Sequence, residues 1–279
     1  MRSPGTDENR TSDPAVTVDL AVLEQGEGNG APLVILHGLF GSARNWQSIA
    51  RTFAEKRQVL AFDLRNHGNS PWAPTMSYGE MAQDVWVALS VRGISDYVLL
   101  GHSMGGKVAM TMALERPHSV ERLVVVDIAP TAHAPVHQQL IEAMLALDLS
   151  DTPRRSDAEA RLATAVPEVG LRQFLVQNLV SEDGGLRWRI NLQAINSSLA
   201  ELSSFPPLDP AKHYEGPTLI VAGERSTYIK SEDRPVFRRI FPHSQIVEIA
   251  NAGHWVHAEQ PLAFVEAVTS FLECKPFSV

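Results

Sequence analysis

Three short stretches of the chain hold residue types able to carry out nucleophilic chemistry. "GHSMGG", Gly101 to Gly106, sets Ser103 between glycines, after the apolar run "DYVLL" and before a helical pattern. This is G-x-S-x-G in a strand–turn–helix context, which presents the serine at the tip of a sharp turn. The helix N-terminus beneath it favours developing negative charge. A plain helix-capping serine is the alternative. "NAGHWVHAEQP" follows the last apolar run and offers His254 as base toward Ser103 and then acid toward the leaving group. His257 competes, but His254 follows the Asn-Ala-Gly turn directly and His257 reads as a helix start. "LHGLFGS", Leu36 to Ser42, contributes backbone: the N–H groups of Leu39 and Met104 are the expected oxyanion donors. His37 reads as a residue that holds its loop, and Trp255 as an aromatic packed beside the base. A metal is not expected. His254 with His257, or His133 with His137, has usable spacing, but neither pair sits in H-E-x-x-H and no cysteine cluster accompanies them.

The elements that must position these residues follow from hydrophobic pattern. "PLVILHG", "QVLAFDLR", "DYVLLGHS", "RLVVVDIAP" and "PTLIVAGE" are nearly continuous apolar runs, as expected of parallel strands buried on both faces. "TVDLAVLEQG" alternates in polarity and reads as an early strand, and "SQIVEIANAG" as an edge-like one. Helices are predicted at "SYGEMAQDVWVALSVRG", "MGGKVAMTMALERP" and "PLAFVEAVTSFLECK". The alternation implies a doubly wound α/β fold. Between 131 and 214 it breaks. That stretch reads as helix-rich with no strong strand run, and is expected to form a helical cap over the carboxyl ends of the strands. The core is then expected in two parts, 16–130 and 215–279.

Composition narrows the function classes. The 279 residues are 44% hydrophobic and 20% charged, as in ordinary globular proteins. A net charge of -8 argues against binding the phosphate backbone of nucleic acids. No apolar run is long enough to span a membrane. The single cysteine, Cys274, excludes an intramolecular disulfide and suggests a reducing, cytoplasmic setting. Residues 1–15 are polar, unlike a secretory signal, and read as a disordered tail.

"LHGLFGS", "DLRNHGNSP", "GHSMGGK", "ERLVVVDIAP" and "NAGHWVH" occur in order. In these motifs the chain resembles the α/β-hydrolase superfamily. More narrowly it looks like YbfF-type esterases and their mitochondrial α/β-hydrolase-domain relatives, over about Val16 to Leu272. The resemblance implies hydrolysis of carboxylic esters without a cofactor, with acyl-CoA thioesters as a second candidate class.

It also raises a question about the triad acid. Across the wider superfamily the acid follows the strand read here as "PTLIVAG", where this chain has Ser226. Glu224 lies two residues too early, and Asp233 reads as a helix-start residue. Asp127 ends the neighbouring strand, and adjacent strands lie about 4.8 Å apart, so its carboxylate can still reach His254. The order Ser103, Asp127, His254 is that of this fold, and the resembled subgroup places its acid on the same strand. Ser226 could assist by hydrogen-bonding Asp127 or His254. A carboxylate that merely caps the following turn is the alternative for Asp127.

The expected activity is a serine carboxylesterase acting on a small-molecule ester or thioester. A cofactor-free perhydrolase or C–C bond hydrolase on the same residues, and a non-catalytic binding module, stay open. Asp63, Asn66 and Asp84 read as structural, and Lys107 as facing the surroundings of its helix. Leu140, Met144, Leu145, Phe174, Leu175, Trp188 and Ile190 are candidates for the pocket wall. Arg187 and Arg189 could steer an acidic head group, or simply be exposed.

Overall fold

The structure, a computed structural model, describes residues 16–274 except 29, 135, 136, 183, 208 and 210. The expected disordered tail, 1–15, lies outside the described residues.

In chain order the first half contains β1 (Val22–Gln25), β2 (Leu33–Leu36), α1 (Gln47–Phe53), β3 (Val59–Phe62), α2 (Tyr78–Val91), β4 (Tyr97–His102), α3 (Met104–Glu115) and β5 (Val120–Val126). A long insertion follows, with α4 (Gln138–Leu145), α5 (Arg155–Leu162), α6 (Val169–Val176), β6 (Leu179–Glu182), β7 (Gly185–Trp188), α7 (Leu192–Ser197) and α8 (Leu199–Leu202). The chain then returns through β8 (Thr218–Gly223), α9 (Arg234–Ile240), β9 (Ser244–Ile249), α10 (Val256–Glu259) and α11 (Pro261–Glu273).

Seven strands form one sheet in the order β1-β3-β2-β4-β5-β8-β9. Only β1 runs antiparallel. The apolar runs are continuous because both faces are covered, and strand periodicity sorts them. Val34 and Leu36 point to one core with Val85, Leu89, Val108 and Met112. Leu33 and Ile35 point to the other, with Trp46, Ile49, Phe264 and Phe271. Helix α2 starts where the sequence indicates: the Ser77 hydroxyl accepts from the Glu80 N–H, and the Glu80 carboxylate accepts from the Ser77 N–H.

The insertion differs from expectation in two places. Its β6–β7 ribbon replaces part of the predicted helix-rich run. Two four-residue strands turning at Gly184 (φ 85°) are too short to give a periodic signal. They persist because Leu179 and Leu186 pack with Ala158, Leu162 and Val176. The helix-rich stretch near its end is also broken, with α7 ending before Ser198 and α8 beginning after it. Among the described residues, no helix is long and apolar enough to cross a membrane.

Candidate active site

The site is built at the carboxyl ends of β4, β5 and β9, with β8 lying between the last two. Strand β4 delivers Ser103, β5 delivers Asp127, and the loop after β9 delivers His254. Sheet pairing continues one residue past two of these ends: the Ser103 N–H donates to the Val126 carbonyl (3.0 Å) and the Asp127 N–H to the Val221 carbonyl (2.8 Å). Ser103 (φ 53°) and Asp127 (φ 52°) both occupy the left-handed region, which costs a non-glycine residue on the order of 1 kcal/mol or more. The neighbouring pairings hold them there. Helix α3 can leave the turn so sharply because it lies against the sheet at Gly105, where a Cβ would come within 2.4 Å of the Leu36 carbonyl oxygen.

These backbone constraints bring the side chains together. His254 Nε2 is 3.0 Å from Ser103 Oγ, and His254 Nδ1 is 2.7 Å from Asp127 Oδ2. Asp127 is fully buried, and each of its oxygens has a donor: Oδ1 accepts from the Gly223 N–H (3.1 Å), and Oδ2 from the Ser226 hydroxyl and the imidazole. The other carboxylates are engaged elsewhere. Glu224 accepts from the Asn251 N–H (2.7 Å), and Asp233 from the Thr131 hydroxyl (2.9 Å) and the Lys230 N–H (2.8 Å).

A family with the α/β-hydrolase fold matches residues 31–261. The chain belongs to that α/β-hydrolase family. It is 44% identical over 278 residues to the sn-1-specific diacylglycerol lipase ABHD11 of Danio rerio, covering 96% of this chain and 86% of that one. Esterase YbfF of Escherichia coli strain K12 is 34% identical over 249 residues, covering 89% and 95%. A solved structure of a marine microorganism esterase superposes with a TM-score of 0.88 at 37% identity, covering 91% and 100%. The protein is a serine hydrolase acting on ester bonds.

In this α/β-hydrolase the loop after β2 is set by two histidines. His37 Nε2 accepts the Leu64 N–H (2.9 Å) while its Nδ1–H donates to the Gly38 carbonyl (2.8 Å). His67 Nε2 accepts the Phe40 N–H (3.2 Å) while its Nδ1–H donates to the Arg65 carbonyl (3.0 Å). Both rings must be neutral to accept these bonds. Between them they fix the turn that carries Leu39. The Leu39 and Met104 N–H groups have no protein acceptor among the described residues. Both residues flank a cavity of about 20 Å³ beside Ser103, room for roughly one oxygen or water.

Two further histidines stand behind His254. The His102 Nε2–H donates to the His254 carbonyl (2.9 Å), holding the backbone at His254. His257 stacks on Trp46, with ring centroids 3.9 Å apart, and does not reach Ser103. The Tyr228 ring lies flat on His254 at 4.0 Å. Tyr228 lies two residues after Ser226, yet nothing in that spacing marks it as a neighbour of His254.

A cavity of about 410 Å³ opens over Ser103 and His254. Its apolar wall includes Leu140, Val166, Leu171, Phe174 and Trp255. Of the expected wall residues only Leu140 and Phe174 are in it. Met144, Leu175 and Ile190 are buried in the core, Leu145 is exposed, and Trp188 packs inside the insertion. The helical runs identify apolar faces but not which of two apolar surroundings each face meets. Lys107 is fully buried, and its ammonium donates to the carbonyls of Thr131 (3.0 Å) and Ser204 (2.5 Å). It thereby ties α3 to both ends of the insertion, and burial pushes it down to about 8.

The buried histidines make stability acid-sensitive. Burial lowers His37 to about 4, His67 and His257 to about 3, and His102 well below its ordinary 6.5. As pH falls below 6.5, the unfolded chain takes up protons that the folded chain refuses, so stability drops. One pH unit below that value the loss is about 1.4 kcal/mol per histidine, or about 4 kcal/mol for His37, His67 and His257 together, and His102 adds in the same direction. Total stability is commonly about 5–15 kcal/mol. Urea unfolding near neutrality and about two pH units lower should therefore show a sharply reduced midpoint. An unchanged midpoint contradicts the neutral assignment of these rings.

Proposed function

We propose that the protein is a carboxylesterase working through an acyl-enzyme, with Ser103 as nucleophile, His254 as base and Asp127 as acid. The observation carrying this reading is the continuous path from Ser103 Oγ to His254 (3.0 Å) to Asp127 (2.7 Å) at the floor of an apolar cavity. His254 Nε2 takes the Ser103 proton as Oγ attacks the acyl carbonyl. Asp127 holds the Nδ1–H tautomer and stabilises the imidazolium. The Tyr228 face adds a favourable quadrupole for that cation. The surrounding neutral histidines place no competing positive charge beside it.

The carbonyl oxygen, as it becomes an oxyanion, is held by the free Leu39 and Met104 N–H groups. His254 passes its proton to the departing alcohol oxygen. Water then enters, His254 deprotonates it, and the acyl group leaves as a carboxylic acid. A thioester would follow the same course with a thiol leaving. Residues 131–214 act as a cap, and the Lys107 contacts fix where it emerges from the core.

The lipase and esterase relatives support ester substrates, and the apolar wall supports an aliphatic acyl chain. A fluorophosphonate should label Ser103, located by peptide mapping. In a p-nitrophenyl ester series, kcat/KM should rise with acyl length through medium chains. Absence of label at Ser103 in folded protein would defeat the nucleophile assignment.

A further inference from the structure

A second cavity, about 420 Å³, lies where the core meets the insertion. Its walls come from separate segments: Ser42, Arg44 and Asn45 after β2, Arg155 at the start of α5, Gln177 and Asn178 after α6, and Arg189 after β7. Among the described residues no aspartate or glutamate lines it. The nearby Asp63 carboxylate sits behind Gly68 and is already occupied by the Ala43 and Asn69 N–H groups (2.6 and 2.8 Å).

Three arginines line this one cavity without a carboxylate, in a chain of net charge -8. Five of the fourteen other described arginines are ion-paired: Arg65 with Asp84, Arg92 with Glu24, Arg154 with Asp157, Arg187 with Glu182 and Arg225 with Glu259. Among the described residues, Arg44, Arg155 and Arg189 form no ion pair. Arg155 spends only its Nε–H, on the Leu179 carbonyl (2.8 Å). Arg44 and Arg155 are exposed and Arg189 is half-buried, and the neutral lining residues Asn45 and Gln177 bridge core and insertion (3.2 Å). Guanidinium forks match the oxygens of phosphate.

The cavity also borders the one over Ser103. Phe40, Asn45 and Phe174 line both it and the cavity over Ser103. A molecule with its ester carbonyl at Ser103 would reach the arginines by crossing this shared boundary at Phe174. From this we infer that Arg44, Arg155 and Arg189 form a subsite for a phosphate carried on the alcohol part of the substrate, which deepens and rests on the esterase reading above. The enzyme thus favours acyl esters of phosphorylated alcohols over their neutral counterparts. Arg187, paired with Glu182, takes no part.

A matched pair isolates the phosphate: 1-oleoylglycerol and 1-oleoylglycerol 3-phosphate, with p-nitrophenyl butyrate to report the esterase reaction itself. The wild-type enzyme should show a higher kcat/KM on the phosphorylated ester, and the ratio of the two should shrink as sodium chloride is raised. Arg44→Gln with Arg189→Gln should lower that ratio about tenfold or more. Arg44→Lys with Arg189→Lys should lower it less. Equal wild-type kcat/KM on the two oleoyl esters, or a ratio that salt leaves unchanged, overturns the subsite even without variants. Inorganic phosphate that binds by calorimetry without any substrate preference also overturns it, in favour of a free-anion site. Failure to cleave p-nitrophenyl butyrate instead overturns the esterase reading.

Discussion

Replacing Ser103 with alanine is expected to lower kcat for p-nitrophenyl ester hydrolysis by about 10⁶-fold, on the scale seen when a triad nucleophile is removed. The acyl-enzyme cannot form without Oγ, and the oxyanion donors that remain act only on attack by water. The fold should be unaffected. Alanine keeps the Cβ at φ 53°, so it neither adds nor relieves strain, and the backbone bond to Val126 is untouched. Ser103→Gly separates strain from chemistry. It should be equally inactive yet more stable by about 1 kcal/mol, because glycine accepts that φ freely. Thermal unfolding and turnover measured together test both statements. Retained turnover in a clean Ser103→Ala preparation would show that another group does the chemistry.

The fold was legible because the strands at its centre are buried on both faces. Runs such as "LVIL" and "RLVVV" had no other plausible environment at that length. The Ser103 and His254 positions were legible for a related reason: each follows a strand with a turn signal that leaves few geometries open. The β6–β7 ribbon was not legible, since four-residue strands carry too little periodicity and owe their stability to a small local cluster. The pocket wall was hard to read because an amphipathic helix gives one apolar face whether it meets core or cavity. Met144 and Leu140 lie on the same helix and in the same core cluster, yet only Leu140 also borders the cavity. Tyr228, His67 and the three-arginine cavity were missed because their partners lie far off in sequence. The nearest signal was Arg189, noted among residues able to meet an acidic head group.

Asp127→Asn is expected to lower kcat by about 10⁴-fold, and Ser226→Ala by only about tenfold. Asparagine is nearly the same size and tolerates φ 52°. The variant should therefore fold, so its defect reports electrostatics and tautomer rather than collapse. If the new amide nitrogen faces His254 Nδ1, it donates where a carboxylate accepted. The ring proton is then driven to Nε2, against Ser103, and the base cannot take up a proton. Even in the other orientation the imidazolium loses its counter-ion in a fully buried setting. Ser226 supplies one donor to Asp127, and its loss leaves the Gly223 N–H and His254 in place. The two residues touch, so a swap is informative: Asp127→Ser with Ser226→Asp returns a carboxylate to the strand end where the wider superfamily keeps it. That pair should regain part of the rate lost in Asp127→Asn. If Ser226→Ala is the more damaging single change, the acid does not reside at Asp127, and the strained turn there serves only the sheet.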